Sequence, residues 1–118
     1  MKIGRAYERG TGVRRGRAEA AKWYRAAAAQ GNAPSENYLG MLHMEGKGVP
    51  RDTVRGISLL GAAAGAGVLE AQTNLGFVLA SGRGVTPSEA EAAMWLRRAA
   101  ERGDEDAAQA LRDLQKKK

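Results

Sequence analysis

Cysteine is absent from the 118 residues, and with it go disulfide frameworks, thiolate zinc sites and cysteine nucleophiles. His43 is the single histidine, no serine stands in a nucleophile-elbow motif, and the acids are scattered over helix surfaces. No catalytic or metal-binding constellation is therefore visible, and the chain reads as a non-enzyme with no cofactor and no metal. Nor does any stretch approach the ~18 apolar residues of a membrane span. Met1 to Gly10 is charged rather than apolar, so no signal peptide is visible. A soluble protein is expected, with the cytoplasm and a monomeric state favoured.

Positive charge and glycine are plentiful instead. The formal net charge is +6 and the sequence pI about 10.1, which alone would suggest nucleic acid or an anionic surface as partner. Its placement narrows that reading. Residues 1 to 30 hold eight basic residues (Lys2, Arg5, Arg9, Arg14, Arg15, Arg17, Lys22, Arg25) against Glu8 and Glu19, while the remaining 88 hold eleven of each sign. The positive surface belongs to one end of the chain and to the tail Lys116, Lys117 and Lys118.

Twelve of the sixteen glycines fall on four positions that recur every 36 residues. Gly10-Thr11-Gly12-Val13 returns as Gly46-Lys47-Gly48-Val49 and as Gly82-Arg83-Gly84-Val85, and each following stretch closes on Gly31, Gly67 or Gly103. A unit this short cannot bury its own apolar face, so copies must stack to share a core. In the middle copy the pattern predicts a helix from Asn32 or Pro34-Ser35 to Glu45, ended by Gly46 and Gly48. A turn capped by Asp52 follows, and then a second helix to about Ala66.

On that second helix Gly56, Leu59, Leu60 and Ala63 share one face, matched by Ala20, Trp23, Tyr24 and Ala27 and by Ala92, Trp95, Leu96 and Ala99. Both tryptophans are accordingly expected to be core wedges, and Pro87 to sit at the N1 position of its helix. Gly4, Gly40 and Gly76 lie inside helices, where glycine costs roughly 1 kcal/mol against alanine, so a neighbouring backbone is expected to approach there. After Gly103, Asp104-Glu105-Asp106 opens a last helix with Arg112 at the Gly40 and Gly76 position, which reads as a polar cap. The predicted architecture is an all-α solenoid in one domain. Repeat 1 covers about 1–31 and is shortened at its start, repeat 2 about 32–67 and repeat 3 about 68–103, with a capping helix over 104–118.

The residues Leu39-Gly40, Gly46-Lys47-Gly48-Val49, Asp52, Leu59, Ala63-Ala64 and Gly67, with Trp23 and Trp95 in the flanking copies, resemble the Sel-one-like repeat family, relatives of the tetratricopeptide repeats. The resemblance spans essentially the whole chain. Departures are local: Gly16 and Ser88 stand at the Asp52 position, Gly56 replaces an alanine and Leu59 the tryptophan. The resemblance implies a right-handed superhelix whose first helices line a concave groove, used as an adaptor or scaffold. Some cysteine-rich relatives are associated with penicillin binding or hydrolysis, an association that carries little weight in a chain without cysteine.

If Leu39, Leu42 and Gly46 face the core, helix geometry places Asn37, Met41 and Met44 on the opposite arc, with Thr73, Phe77 and Ala80 one repeat later. The candidate groove for a protein or peptide thus comprises Arg5, Glu8 and Arg9 in the first repeat, Asn37, Met41, Met44 and Glu45 in the second, and Thr73 and Phe77 in the third. Met41 and Phe77 suit an apolar anchor. Asn37 could hold a peptide backbone or carboxylate, although Thr73 in the next repeat does not complete a clamp. His43 aligns with Tyr7 and Leu79 and reads as a packing residue. The glycine loops have no preceding strand and no Gly-Lys-Ser/Thr ending, which argues against phosphate binding. Nucleic-acid or anionic-surface binding through the basic first repeat is the alternative function, weakened because Phe77 is the one aromatic off the expected core face. A β-lactam-recognising hydrolase ranks last.

Overall fold

Each helix of the structure, a computed structural model that describes residues 13–82 and 87–116, begins or ends where a local signal demands it. Among the described residues there are six α-helices and no strand: α1 (Val13–Ala29), α2 (Ala33–Glu45), α3 (Thr53–Gly65), α4 (Leu69–Ser81), α5 (Glu89–Glu101) and α6 (Glu105–Lys116). Four starts carry a side-chain cap. Asn32 Oδ1 accepts from Ser35 N–H at 2.9 Å, Asp52 Oδ1 from Arg55 N–H at 3.0 Å, Ser88 Oγ from Glu91 N–H at 3.3 Å, and Asp104 Oδ1 from Ala107 N–H at 2.9 Å. Each satisfies one of the orphan donors of a first helical turn, which stabilises by about 1 kcal/mol. Among the helix starts whose flanking residues are described, α4 is the exception, because its N-cap is Val68, whose side chain can accept nothing. Pro87 precedes the Ser88 cap rather than occupying N1: the serine hydroxyl takes the capping role and leaves proline outside the helix.

Two glycines end helices in the left-handed region, where a side chain would be strained. Gly46 and Gly82 both have φ 69°, and their N–H groups return to Leu42 O and Val78 O. The loop after each is closed by an equivalent bond, Asp52 N–H to His43 O at 2.9 Å and Ser88 N–H to Leu79 O at 3.0 Å. The 36-residue period therefore holds at the level of single backbone hydrogen bonds.

The chain divides into two compact units, residues 1–59 and 60–118, with the boundary inside α3. In the first, α1 packs on α2. Ala20, Ala21 and Tyr24 meet Leu39, Leu42 and Val49, with Ala28, Tyr38 and Leu59 against them. The Tyr24 and Tyr38 rings lie 5.2 Å apart, tilted by 31°. In the second, α5 packs on both α4 and α6, and α4 also touches α6. Its buried residues include Leu75, Val78 and Leu79 of α4, Ala92, Leu96 and Ala99 of α5, and Ala107 and Leu114 of α6. Leu111 of α6 is only half-buried, and Arg112 is exposed.

The interior glycines make room for close packing. A Cβ on Gly76 would lie 2.6 Å from Leu96 Cγ, so here a leucine side chain, not a backbone, takes the space. At Gly56 the approach is by backbone as well: a Cβ there would stand 2.9 Å from Gly40 O and 2.7 Å from Met44 Sδ.

The tryptophans are not core wedges. Trp23 is 52% exposed and Trp95 half-buried with the Arg98 guanidinium 5.0 Å from its ring. The buried side of both helices centres one position later, on Tyr24 and Leu96, which leaves the tryptophans at the edge of the apolar arc.

Candidate partner-binding surfaces

The residues expected to line a groove separate into three groups. Arg5, Glu8 and Arg9 lie outside the described residues. Asn37, Met44 and Thr73 are buried, at 2%, 3% and 6% exposure. Met41 is half-buried, while Glu45 and Phe77 are exposed, Phe77 to 40%.

The helical wheel puts Met44 opposite Leu42, on the solvent arc; the helix it meets explains why it is buried instead. Gly56 of α3 has no side chain, and the methionine fills the space an alanine would otherwise occupy. Thr73 is held by Asp104, whose Oδ2 accepts from the threonine hydroxyl at 2.8 Å while Oδ1 caps α6. One carboxylate thus ties α4 to the start of α6, and Thr73 is a structural joint rather than a peptide contact. Asn37 is enclosed too completely to meet a ligand without rearrangement.

The remaining surface is sparse. Met41 and Glu45 lie one turn apart on α2, and Glu45 pairs with Lys47 at 2.9 Å, an exposed bridge of small energetic weight. On α4, Phe77 stands between the half-buried Asn74 and the exposed Ser81, at the register position of Met41. Its neighbours Leu75, Gly76, Val78 and Leu79 are all buried, so the ring is the large apolar side chain that this helix most exposes to solvent.

His43 is buried, as its alignment with Leu79 implies. With the proton on Nδ1, it donates to Pro50 O at 3.3 Å and so fastens the loop into α3. Nε2 has no hydrogen-bond partner, and no group of three or more His, Cys, Asp or Glu side chains that could hold a metal occurs among the described residues. Among those residues, no helix is long and apolar enough to cross a membrane. The sequence reading missed Trp23 as a solvent-facing aromatic. The available signal was its place one residue before Tyr24 at the margin of the apolar face.

The comparisons agree with this repeat geometry. A family model described as the Sel1 repeat matches three times, over residues 1–32, 33–68 and 69–104. Among solved structures, the chain is similar to a protective antigen of uropathogenic Escherichia coli strains displaying an SLR fold, with 33% identity and a TM-score of 0.84 over 96% of this chain and 24% of that one. It is similar also to a Sel1 repeat protein from Oxalobacter formigenes, with 34% identity and a TM-score of 0.80 over 93% of this chain and 45% of that one. The chain thus spans less than half the length of either relative. No curated protein matches it. Three matched copies, of which the second and third are in register with the helix pairs α2–α3 and α4–α5, establish that the chain belongs to the Sel1 repeat family, whose members are generally protein-interaction scaffolds.

Proposed function

We propose that the chain is a protein-binding module and that its partner lies against the first helices of the repeats, with Met41 and Phe77 as apolar anchors. The observation that carries this reading is Phe77, a large ring 40% exposed on a helix whose Leu75, Val78 and Leu79 are buried. An aromatic in that situation contributes contact area at low entropic cost when a partner covers it. Asn37, Met44 and Thr73 belong to the scaffold under this surface, and Glu45 to its rim. Immobilised chain should retain a specific protein, identified by mass spectrometry, and Phe77→Ala with Met41→Ala should abolish retention while helical circular dichroism is preserved. Undiminished retention by the double variant would remove the first-helix surface from the proposal.

Nucleic-acid binding is the second reading. Trp23 supports it, as an exposed ring on a helix of five basic residues and one acid. Such binding falls steeply with salt, and failure to bind a single-stranded oligonucleotide at low ionic strength eliminates it.

A further inference from the structure

The charge of the first helices runs against that of the chain. In a protein of net charge +6, α2 and α4 contain Glu36, Glu45 and Glu70 and no lysine or arginine. On α4, Glu70, Asn74, Phe77 and Ser81 follow one another at i, i+4, i+7 and i+11, a single arc of the helix. Glu70, Phe77 and Ser81 are exposed, and Asn74 is half-buried. The same register on α6 holds Asp106, Ala110 and Asp113, with both acids exposed.

Helices α4 and α6 belong to one compact unit and touch. The hydrogen bond from Thr73 to Asp104, at 2.8 Å, fixes the start of α6 beside the first turns of α4. Glu70 and Phe77 stay exposed with α6 in that place, so this register remains open when the first helix of a following repeat is present. Among the described residues, none of Glu70, Asp106 and Asp113 forms an ion pair. Arg102 is engaged on Gly67 O and Arg112 on Gln109 Oε1, while Lys116 lies one turn beyond Asp113. Nor does any group of His, Cys, Asp or Glu among the described residues come close enough together to hold a metal. These acids do not converge on one ion; they surround a ring.

We propose that the partner segment is basic as well as apolar. A bulky apolar side chain covers Phe77, and a lysine or arginine lies at the Glu70 and Asp106 end of the two helices. This chemistry rests on the first-helix surface being the binding face, and adds to it the charge of the partner. Seven helical positions separate Glu70 from Phe77, or about 10 Å, which an extended segment spans in about three residues. The recognised element is therefore a cation about three positions from an apolar residue. On α2 the same register is Pro34, Tyr38, Met41 and Glu45, and Lys47 balances its one acid. The charge preference thus belongs to the third repeat, and the second supplies apolar contact.

A phage-displayed library of random dodecapeptides, selected on the immobilised full chain, provides the probe. Enriched peptides should carry lysine or arginine near a bulky apolar residue, and synthetic copies should bind more weakly as salt rises. Phe77→Ala should weaken their binding about tenfold or more. Glu70→Gln and Asp106→Asn should each weaken it by about 1.5-fold to fivefold, the scale of exposed ion pairs. The double variant Glu70→Lys with Asp106→Lys should enrich acidic peptides instead. Circular dichroism establishes that each variant remains helical. Peptides lost with Phe77→Ala but indifferent to Glu70 and Asp106 overturn the basic partner and leave the first-helix surface standing. Peptides that survive Phe77→Ala overturn both, and a selection that enriches nothing overturns the basic segment.

Discussion

The second and third repeats solve the same packing problem with different atoms. Where α2 crosses α3, Met44 is buried and its partner is Gly56, with no side chain. At the same two positions of the third repeat stand Ala80, half-buried, and Ala92, fully buried. A large residue opposite none has replaced a small one opposite a small one. The methionine takes space that the glycine gives up, so the pair shares the contact unequally in one repeat and equally in the other. Their N-caps differ similarly: Asn32 binds the first turn of α2, and Val68 leaves that of α4 unserved.

The largest expected loss lies in the third repeat, where Leu96 fills the space left by Gly76. Leu96→Ala should destabilise the protein by about 2–5 kcal/mol, read as a lower urea midpoint; a loss below that range would show that α4 and α5 close over the gap. Gly56→Ala brings a Cβ against Met44 and Gly40 O, and should cost about 1–3 kcal/mol despite its better helix propensity. Adding Met44→Ala recreates the alanine pair of the third repeat. The double variant should be more stable than the sum of the single effects predicts, and strict additivity would disprove the volume exchange. Asp104→Ala removes both the α6 cap and the Thr73 acceptor, for about 2 kcal/mol. Thr73→Ala should lose less, since the cap remains. The smallest effect is a gain: Val68→Asp supplies the missing cap and should raise the thermal midpoint through about 0.5–1 kcal/mol. No rise would mean that Val68 contributes as much by packing.

Period, helix pairs and caps were legible in the chain because they are local. Asn32, Asp52, Ser88 and Asp104 each serve an N–H three residues away, and Gly46 serves a carbonyl four residues back, within reach of any reading along the sequence. The first-helix surface was less so. A helical wheel ranks residues around one axis but does not show what stands opposite. Met44 turned inward because of Gly56, and Thr73 because of Asp104, 31 positions later. The tryptophans illustrate the same limit, since an edge position is covered or bare according to its neighbour. Arg98 partly covers Trp95, whereas Ala26, at the equivalent place, leaves Trp23 exposed.

The helix pairings α1 with α2, α4 with α5, α5 with α6 and α4 with α6 join elements adjacent or next-adjacent in sequence. Topologies of such short range fold fast, since little loop-closure entropy opposes them. A nascent chain emerging from the ribosome would thus find each helix's docking partner already synthesised a few dozen residues earlier. Assembly can keep step with translation, one hairpin at a time, leaving unfinished apolar faces open only for the interval needed to make the next helix.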